Sequence, residues 1–363
     1  MWHPPVRARR PAYPVEEEVS MSYPQGSVNR RTLLLAAAAG GGVLTAGPAS
    51  AHARPAPHRP AHARPGPDRP AHAGPIRPER PAVRSVGCFE VLALRDAAGP
   101  FFLPYDEAFS GASSNDWAAA RRIDPAAFGP DRTWQLDFRC YAIRRPGDRY
   151  TLVDTGVGPQ GSPASAWAPV PGVLPQLLAG NGIDVRRVDT VVLTHLHEDH
   201  AGWAVTAQGV PMFPNARYVM QQRELDALEA DGSEMIGYVV RPLREAGRLH
   251  PVDGTVVLSG DTVGAGPRTP AGRHGDRIRV VPTPGHTPGH QSVLVEGGRH
   301  DQVVVTGDVL VHAVQIADPD VGYRYEADQH LARLTRRNLL DSARRERAVL
   351  ATAHLNRPFV ELR

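Results

Sequence analysis

Four strong metal-ligand side chains fall within six residues at His195-Leu196-His197-Glu198-Asp199-His200. Imidazole nitrogens and carboxylates suit zinc or a similar transition metal. The preceding run Thr190-Val191-Val192-Leu193-Thr194 is β-branched and apolar, and predicts a buried strand from whose end a rigid sheet aims the ligands. His195 and His197 can point to one side while Asp199 and His200 reach another, which suggests two ions. Three later strand-like runs also end in candidates. Arg279-Val280-Val281 leads to His286 and His290, Gln302-Val303-Val304-Val305-Thr306 to Gly307-Asp308, and Ala348-Val349-Leu350-Ala351-Thr352-Ala353 to His354. A lone Gly-Asp after a strand reads as a turn; a strand followed by a ligand four times reads as one organised site.

The elements that must hold these residues begin near Ser85. Strands are predicted at 86–94, 136–145, 149–154, 189–193, 278–282, 291–295, 302–306 and 348–353, and helices at 221–230 and 327–345. Helices interleaved with strands predict one layered α/β domain over 85–363. The segment 101–132, rich in Gly, Ser, Asn and Pro, reads as a loop able to form a lid. Phe101, Phe102, Trp117, Trp134, Trp167, Trp203 and Tyr323 supply core and, in part, an apolar substrate pocket, with Trp203 expected nearest the ligands. Cys88 and Cys140 sit in separate strand-like runs and lack metal-site spacing; two buried thiols are the simpler expectation, and a disulfide the alternative.

Together His195-x-His197-x-Asp199-His200, His286, Asp308, His354 and the upstream Leu152-Val153-Asp154-Thr155-Gly156 resemble the metallo-β-lactamase-fold hydrolases, over roughly Cys88 to the C-terminus. Gly307 to Gln315 with Asp318-Pro319 is most similar to the methyl parathion hydrolase and quorum-quenching lactonase-like branch. The resemblance implies a single-domain four-layer αββα sandwich with the metals at one sheet edge. It also implies His195, His197 and His286 on one divalent ion, Asp199, His200 and His354 on the other, and Asp308 between them. Zinc is the expected metal, with Fe, Mn or Co as alternatives. It places Asp154 near the metal loop, as a partner for a ligand histidine or as a plain turn, and His290 exceeds a complete ligand set and is expected to hydrogen-bond beneath it.

Two such ions sharing Asp308 would lower the pKa of a water between them and supply a hydroxide nucleophile, with Asp199 and Asp308 as the acidic groups of the catalytic site. Hydrolysis of a lactone or ester is the first expectation and of a phosphotriester the second. Many lactonases of the family carry a tyrosine three positions after the bridging Asp, where this chain has Val311; His312, one residue further, is an alternative donor in the pocket. β-Lactam hydrolysis ranks third, because the ligands do not resemble the cysteine-containing β-lactamase pattern. A non-hydrolytic metal protein of the di-iron flavoprotein kind is disfavoured, since the chain leaves no room for a flavodoxin-like domain after His354.

The N-terminal part has a different character. Asn29-Arg30-Arg31 opens an alanine-rich apolar stretch that ends near Ala49-Ser50-Ala51, the pattern of an export signal of the twin-arginine route over residues 1–51. Met21 is an alternative start, which would make 1–20 a false extension. The apolar core, broken at Gly40-Gly41-Gly42, is too short for a comfortable membrane span, and no stable membrane anchor is expected. Residues 52–84 are mostly Pro, Ala, Arg and His, a composition that cannot build a core and predicts an extended linker decorated by His52, His58, His62 and His72. Five Arg against three Glu in 1–51, and seven Arg against Asp68 and Glu79 in 52–84, leave the remainder at −4 from an overall +3. The basic character belongs to the signal and linker, so the folded part has no electrostatic footprint for nucleic acid and none is expected as its partner. The expected partners are a small-molecule substrate and the export machinery, with periplasmic or extracellular residence; a homodimer is allowed.

Overall fold

The computed structural model describes residues 81–260, 275–298 and 300–362. The expected export signal and nearly all of the linker, with its four histidines, lie outside the described residues. In chain order the first strands are β1 (Val83–Val86), β2 (Phe89–Pro104), β3 (Phe109–Ser110), β4 (Thr133–Arg145), β5 (Arg149–Val153), β6 (Val188–Val192), β7 (Arg217–Gln221) and β8 (Leu249–Val252). There follow β9 (Val256–Gly260), β10 (Arg277–Pro282), β11 (Gln291–Glu296), β12 (Gln302–Val305), β13 (Gly322–Tyr323), β14 (Val349–Ala351) and β15 (Phe359–Glu361).

They form a seven-stranded sheet in the order β1-β2-β4-β5-β6-β7-β8 and a six-stranded sheet in the order β15-β14-β12-β11-β10-β9, with a two-stranded β13-β3 ribbon beside them. Side chains alternate across a strand, and this alternation builds the layers. On β4, Tyr141 and Ile143 face Ile278, Val280, Val293 and Val303 of the second sheet. Cys140 and Ala142 on the opposite face join Leu174, Leu177, Leu178, Leu225 and Leu243 from the covering helices. On the second sheet, Val303, Val305 and Ala351 point inward, whereas Val304 and Leu350 pack outward against Leu340 and Ala343 of the helix Gln329–Glu346. The order is helices, sheet, sheet, helices, the αββα sandwich expected.

Several details differ from expectation. The first strand starts at Val83, inside the stretch read as linker. The segment 101–132 is not one open loop: β2 continues to Pro104, and Ser114–Ile123 is a helix. Ser113 and Asp116 close a reciprocal capping box there, a local helix signal. β7, β8 and β9 escaped the pattern because they are short and lack clean alternation. No disulfide joins Cys88, which is exposed, to Cys140, which is buried with its thiol pKa pushed up by burial. Among the described residues no helix is long and apolar enough to cross a membrane.

One close crossing fixes the ligand loop. Gly202, two residues past His200, lies so near the loop leaving β5 that a Cβ would sit 2.3 Å from the Val157 carbonyl carbon. Its backbone amide donates to the Gly156 carbonyl at 2.8 Å, and Trp203 N–H donates to the Thr155 carbonyl at 3.1 Å. Gly202→Ala should therefore cost about 1–3 kcal/mol or more through overpacking. Gly237→Ala, where a Cβ meets nothing within 4 Å, should be neutral within about 0.5 kcal/mol. Denaturant midpoints of the two variants check this, and equal midpoints would remove the crossing as a constraint.

Candidate metal centre

The ligand candidates arrive from both sheets. His195, His197, Asp199 and His200 follow β6, His286 lies in the turn between β10 and β11, and Asp308 and His354 follow β12 and β14. The structure brings all seven together in two groups: His195, His197, His286 and Asp308, and Asp199, His200 and His354. In the first, His197 Nδ1 lies 3.0 Å from both His195 Nε2 and His286 Nε2. In the second, His200 Nε2 and His354 Nε2 are 3.1 Å apart, with Asp199 Oδ2 at 3.6 and 3.5 Å from them. Asp308 stands between the groups. Its Oδ2 is 3.2 Å from His286 Nε2, and its Oδ1 is 3.2 and 3.1 Å from His200 Nε2 and His354 Nε2.

The outer nitrogens decide which way the lone pairs face. Asp154 Oδ2 accepts from the Thr194 hydroxyl at 2.9 Å, leaving the Thr194 oxygen to accept from His195 Nδ1 at 3.1 Å. The same Asp154 oxygen accepts from His200 Nδ1 at 2.9 Å, and the Asp137 carbonyl accepts from His354 Nδ1 at 2.9 Å. Neutral imidazole has one N–H, so in their neutral forms His195, His200 and His354 spend it outward and turn a bare Nε2 toward Asp308. Asp154 is thus an orienting partner rather than a plain turn, and its backbone takes φ 59° to do so. His290 is different. Its Nε2 accepts the Asp308 backbone N–H at 2.9 Å and its Nδ1 donates to the Thr283 carbonyl at 3.1 Å, so no lone pair is left for a metal. Burial lowers its pKa to about 4, consistent with this neutral form. Gly307 permits the contact: a Cβ there would lie 2.6 Å from His290 Nε2, and its φ is 51°.

The donor set fits cations. His197 Nδ1 has at most one proton, so its two 3.0 Å nitrogen contacts cannot both be hydrogen bonds. Asp308 Oδ1, fully buried, accepts no hydrogen bond. Burial and the neighbouring imidazoles hold His195 and His286 well below the usual histidine pKa. Burial opposes charge on His200 and His354 as well, but Asp308 and Asp199 outweigh it and raise both. Burial likewise resists ionisation of Asp308, and His200, His354 and His286 together hold it well below the carboxylate range. Positive charge is therefore favoured at the meeting point of the two carboxylates.

Three supporting residues had no sequence signal. Glu224, buried in the first turn of the helix Gln222–Asp231, accepts from Leu196 N–H at 2.9 Å, the Thr287 hydroxyl at 2.7 Å and Gly289 N–H at 3.1 Å. One carboxylate thereby ties the His195–His200 loop to the His286 loop. Arg139, paired with the buried Asp137, donates to the Thr352 and Leu355 carbonyls at 3.1 and 2.6 Å, clamping both sides of His354. Only their tertiary partners reveal these roles.

Above the seven side chains opens a cavity of about 350 Å³. Phe101, Phe102, Trp134, Trp167 and Tyr323 line it, as five of the seven aromatic candidates, together with Val311 and Tyr325. Trp203 and His312 are not among its lining residues. Trp203 packs into the helical layer beside the buried Asp96. His312 is enclosed by Phe109, Trp117, Phe128 and Trp134 at 5.1–5.7 Å, with Nδ1 accepting from Val314 N–H at 3.0 Å and burial lowering its pKa to about 3. Its position one residue beyond Val311 turns it to the other side of the chain.

Comparison with known proteins agrees with this fold. Residues 139–354 match the metallo-beta-lactamase superfamily. N-acyl homoserine lactonases AttM are similar in sequence, that of Azorhizobium caulinodans being 33% identical over 129 residues and that of Rhizobium radiobacter 32%. The match covers 35% of this chain and 43% of each relative, so the chain spans less than half of the relatives' length. Among solved structures, the hydrolase AbOPH of the beta lactamase superfamily superposes with TM-score 0.61 at 22% identity. AidC, a dizinc quorum-quenching lactonase, gives 0.57 at 20%. Each alignment covers 78% of this chain and 94% of the other, and shows the shared fold.

Glu224→Gln should weaken metal retention about 10- to 100-fold, the loss typical of groups that hold ligands in place, because an amide cannot accept on both sides. Competition with a chelator measures it, and unchanged retention would show that the two loops are held without Glu224.

Proposed function

The chain belongs to the metallo-beta-lactamase superfamily, and on that premise we propose that it is a dinuclear metal-dependent hydrolase of lactones or esters. The observation that carries this reading is Asp308, whose two carboxylate oxygens face separate donor groups at the floor of an aromatic cavity. His195, His197 and His286 would hold one divalent cation, most simply zinc, and Asp199, His200 and His354 a second, with Asp308 shared. Bound there, the ions supply Lewis acidity and a water activated near neutral pH. The chain's own groups do the rest. Asp154, Thr194 and the Asp137 carbonyl fix the imidazoles in their ligand tautomers. Phe101, Trp134 and Trp167 pack with centroids 4.7 and 5.8 Å from the first ring, making an apolar wall that excludes bulk water and accepts an acyl or aryl group. Asp308, with Asp199 as the other acidic group of the site, would also steer a proton. A phosphotriester is the second reading, favoured by Val311, which offers no hydrogen-bond donor at the cavity wall.

Asp308→Asn removes one negative charge where both cations would meet. It should bind fewer than two equivalents of metal and lose about two to three orders of magnitude in turnover of a lactone, aryl ester or phosphotriester. His290→Ala should keep both metals with a loss of about 10- to 100-fold. Metal stoichiometry and rate, measured in parallel, decide between them: full occupancy and normal rate in Asp308→Asn would overturn the dinuclear reading.

Export by the twin-arginine route is proposed from Arg30-Arg31 and the apolar stretch up to Ala51, with residues 52–84 as a linker to the folded domain. Changing both arginines to lysine should leave precursor in the cytoplasm, and exported protein should begin near His52. An unprocessed N-terminus on exported protein would refute it.

A further inference from the structure

We propose that Tyr323 contacts the substrate, its phenol donating a hydrogen bond to the oxygen of the carbonyl or phosphoryl group under attack. The inference rests on the hydrolytic reading of the same site. Tyr323 is only 7% exposed, yet it lines the cavity beside His286 and Asp308. Its ring lies parallel to the His286 imidazole, 14° between planes and 6.1 Å between centroids, and stacks on Phe109 at 5.1 Å. It also lies close enough to Asp308 and Asp199 to feel their charge. Among the described residues the phenol oxygen has no hydrogen-bond partner, while the rest of Tyr323 is tightly held.

That holding links Tyr323 to the metal loop. Its backbone N–H donates to Glu326 Oε2 at 3.1 Å, and Gly322-Tyr323 pairs with Phe109-Ser110 in the β13-β3 ribbon. Glu326 forms a fully buried ion pair with Arg336. The same guanidinium donates to the Val309 carbonyl, next to Asp308, at 2.9 Å, and to the Val321 carbonyl at 3.0 Å. One arginine thus fixes the segment after Asp308 and the segment carrying Tyr323 against each other. A donor held rigidly by its backbone and ring faces, with its hydroxyl left over toward the cavity, is preorganised for an acceptor brought by a ligand. Such a donor is worth most where charge develops on oxygen during reaction. Tyr325, by contrast, is 41% exposed, and its hydroxyl has no comparable setting.

Tyr323→Phe keeps both ring contacts and removes only the hydroxyl. Metal content should stay at the wild-type value while kcat falls about 100-fold and KM changes less than threefold, the signature of an interaction made mainly in the transition state. Substrates are N-hexanoyl-homoserine lactone, a 4-nitrophenyl ester and an aryl phosphotriester. In parallel, ring-opened N-hexanoyl-homoserine, whose carboxylate carries the oxygen charge that the substrate gains only in the transition state, is titrated by quenching of tryptophan fluorescence, with at least fivefold weaker binding expected in the variant. An active wild type with kcat and product affinity unchanged in Tyr323→Phe overturns the proposal. So does loss of metal in the variant, which would make the phenol a support of His286. A wild type inactive on all three substrates overturns the hydrolase reading instead. The titration then decides Tyr323 alone, and equal affinity, or no binding to either protein, counts against it.

Discussion

Imidazole nitrogens only about 3 Å apart crowd one another, and the groups behind the rings hold them there. The cost is met by hydrogen bonds to their outer nitrogens and by the buried charge of Asp308. Asp154 is the densest of these supports, with one oxygen serving both His200 and Thr194 and the other accepting from Thr194 N–H. Because Thr194 in turn orients His195, a single carboxylate fixes one ligand of each group. A ligand set prearranged in this way loses little freedom when cations arrive.

The same arrangement ties the site to the fold. Each group draws on both sheets, since His195, His197, Asp199 and His200 come from the seven-stranded sheet and His286, Asp308 and His354 from the six-stranded one. Gln291 adds a neutral link, its side chain donating to the Leu193 and Val219 carbonyls at 2.9 and 3.2 Å across the sheet interface. Cations held by such a set would bind the folded chain and not the unfolded one, so occupancy adds to stability by mass action.

What could be read from the sequence was what is local. His195 to His200 is contiguous, and the other candidates each follow an apolar strand, so periodicity and residue type marked all seven of the residues that the fold gathers, with His290 beside them, and the family resemblance chose among them. The long helix was legible for the same reason, its pattern at 327–345 lying close to the observed Gln329–Glu346. Glu224, Arg139 and Asp137 were invisible, because their work depends on partners 28 to 217 positions away. Trp203 and His312 were misplaced by the same limit: nearness to a ligand along the chain does not say which way a side chain turns. Tyr323 was noticed only as one aromatic among several, and its distinction is the hydroxyl left over once its neighbours are counted.

The aromatic wall and the charged floor reinforce each other. Phe101, Trp134 and Trp167 keep the local dielectric low, which would strengthen the attraction of Asp308 and Asp199 for any cation held there. Low dielectric also makes an unpaired polar group costly, so a buried site of this kind can afford few donors, each of which must meet a substrate atom. Phe102 and Tyr325, 53% and 41% exposed, are the most open rings of the cavity wall. Deeper in, the rings are locked by one another. The division leaves an exposed aromatic rim above a floor whose side chains are fixed by their hydrogen bonds.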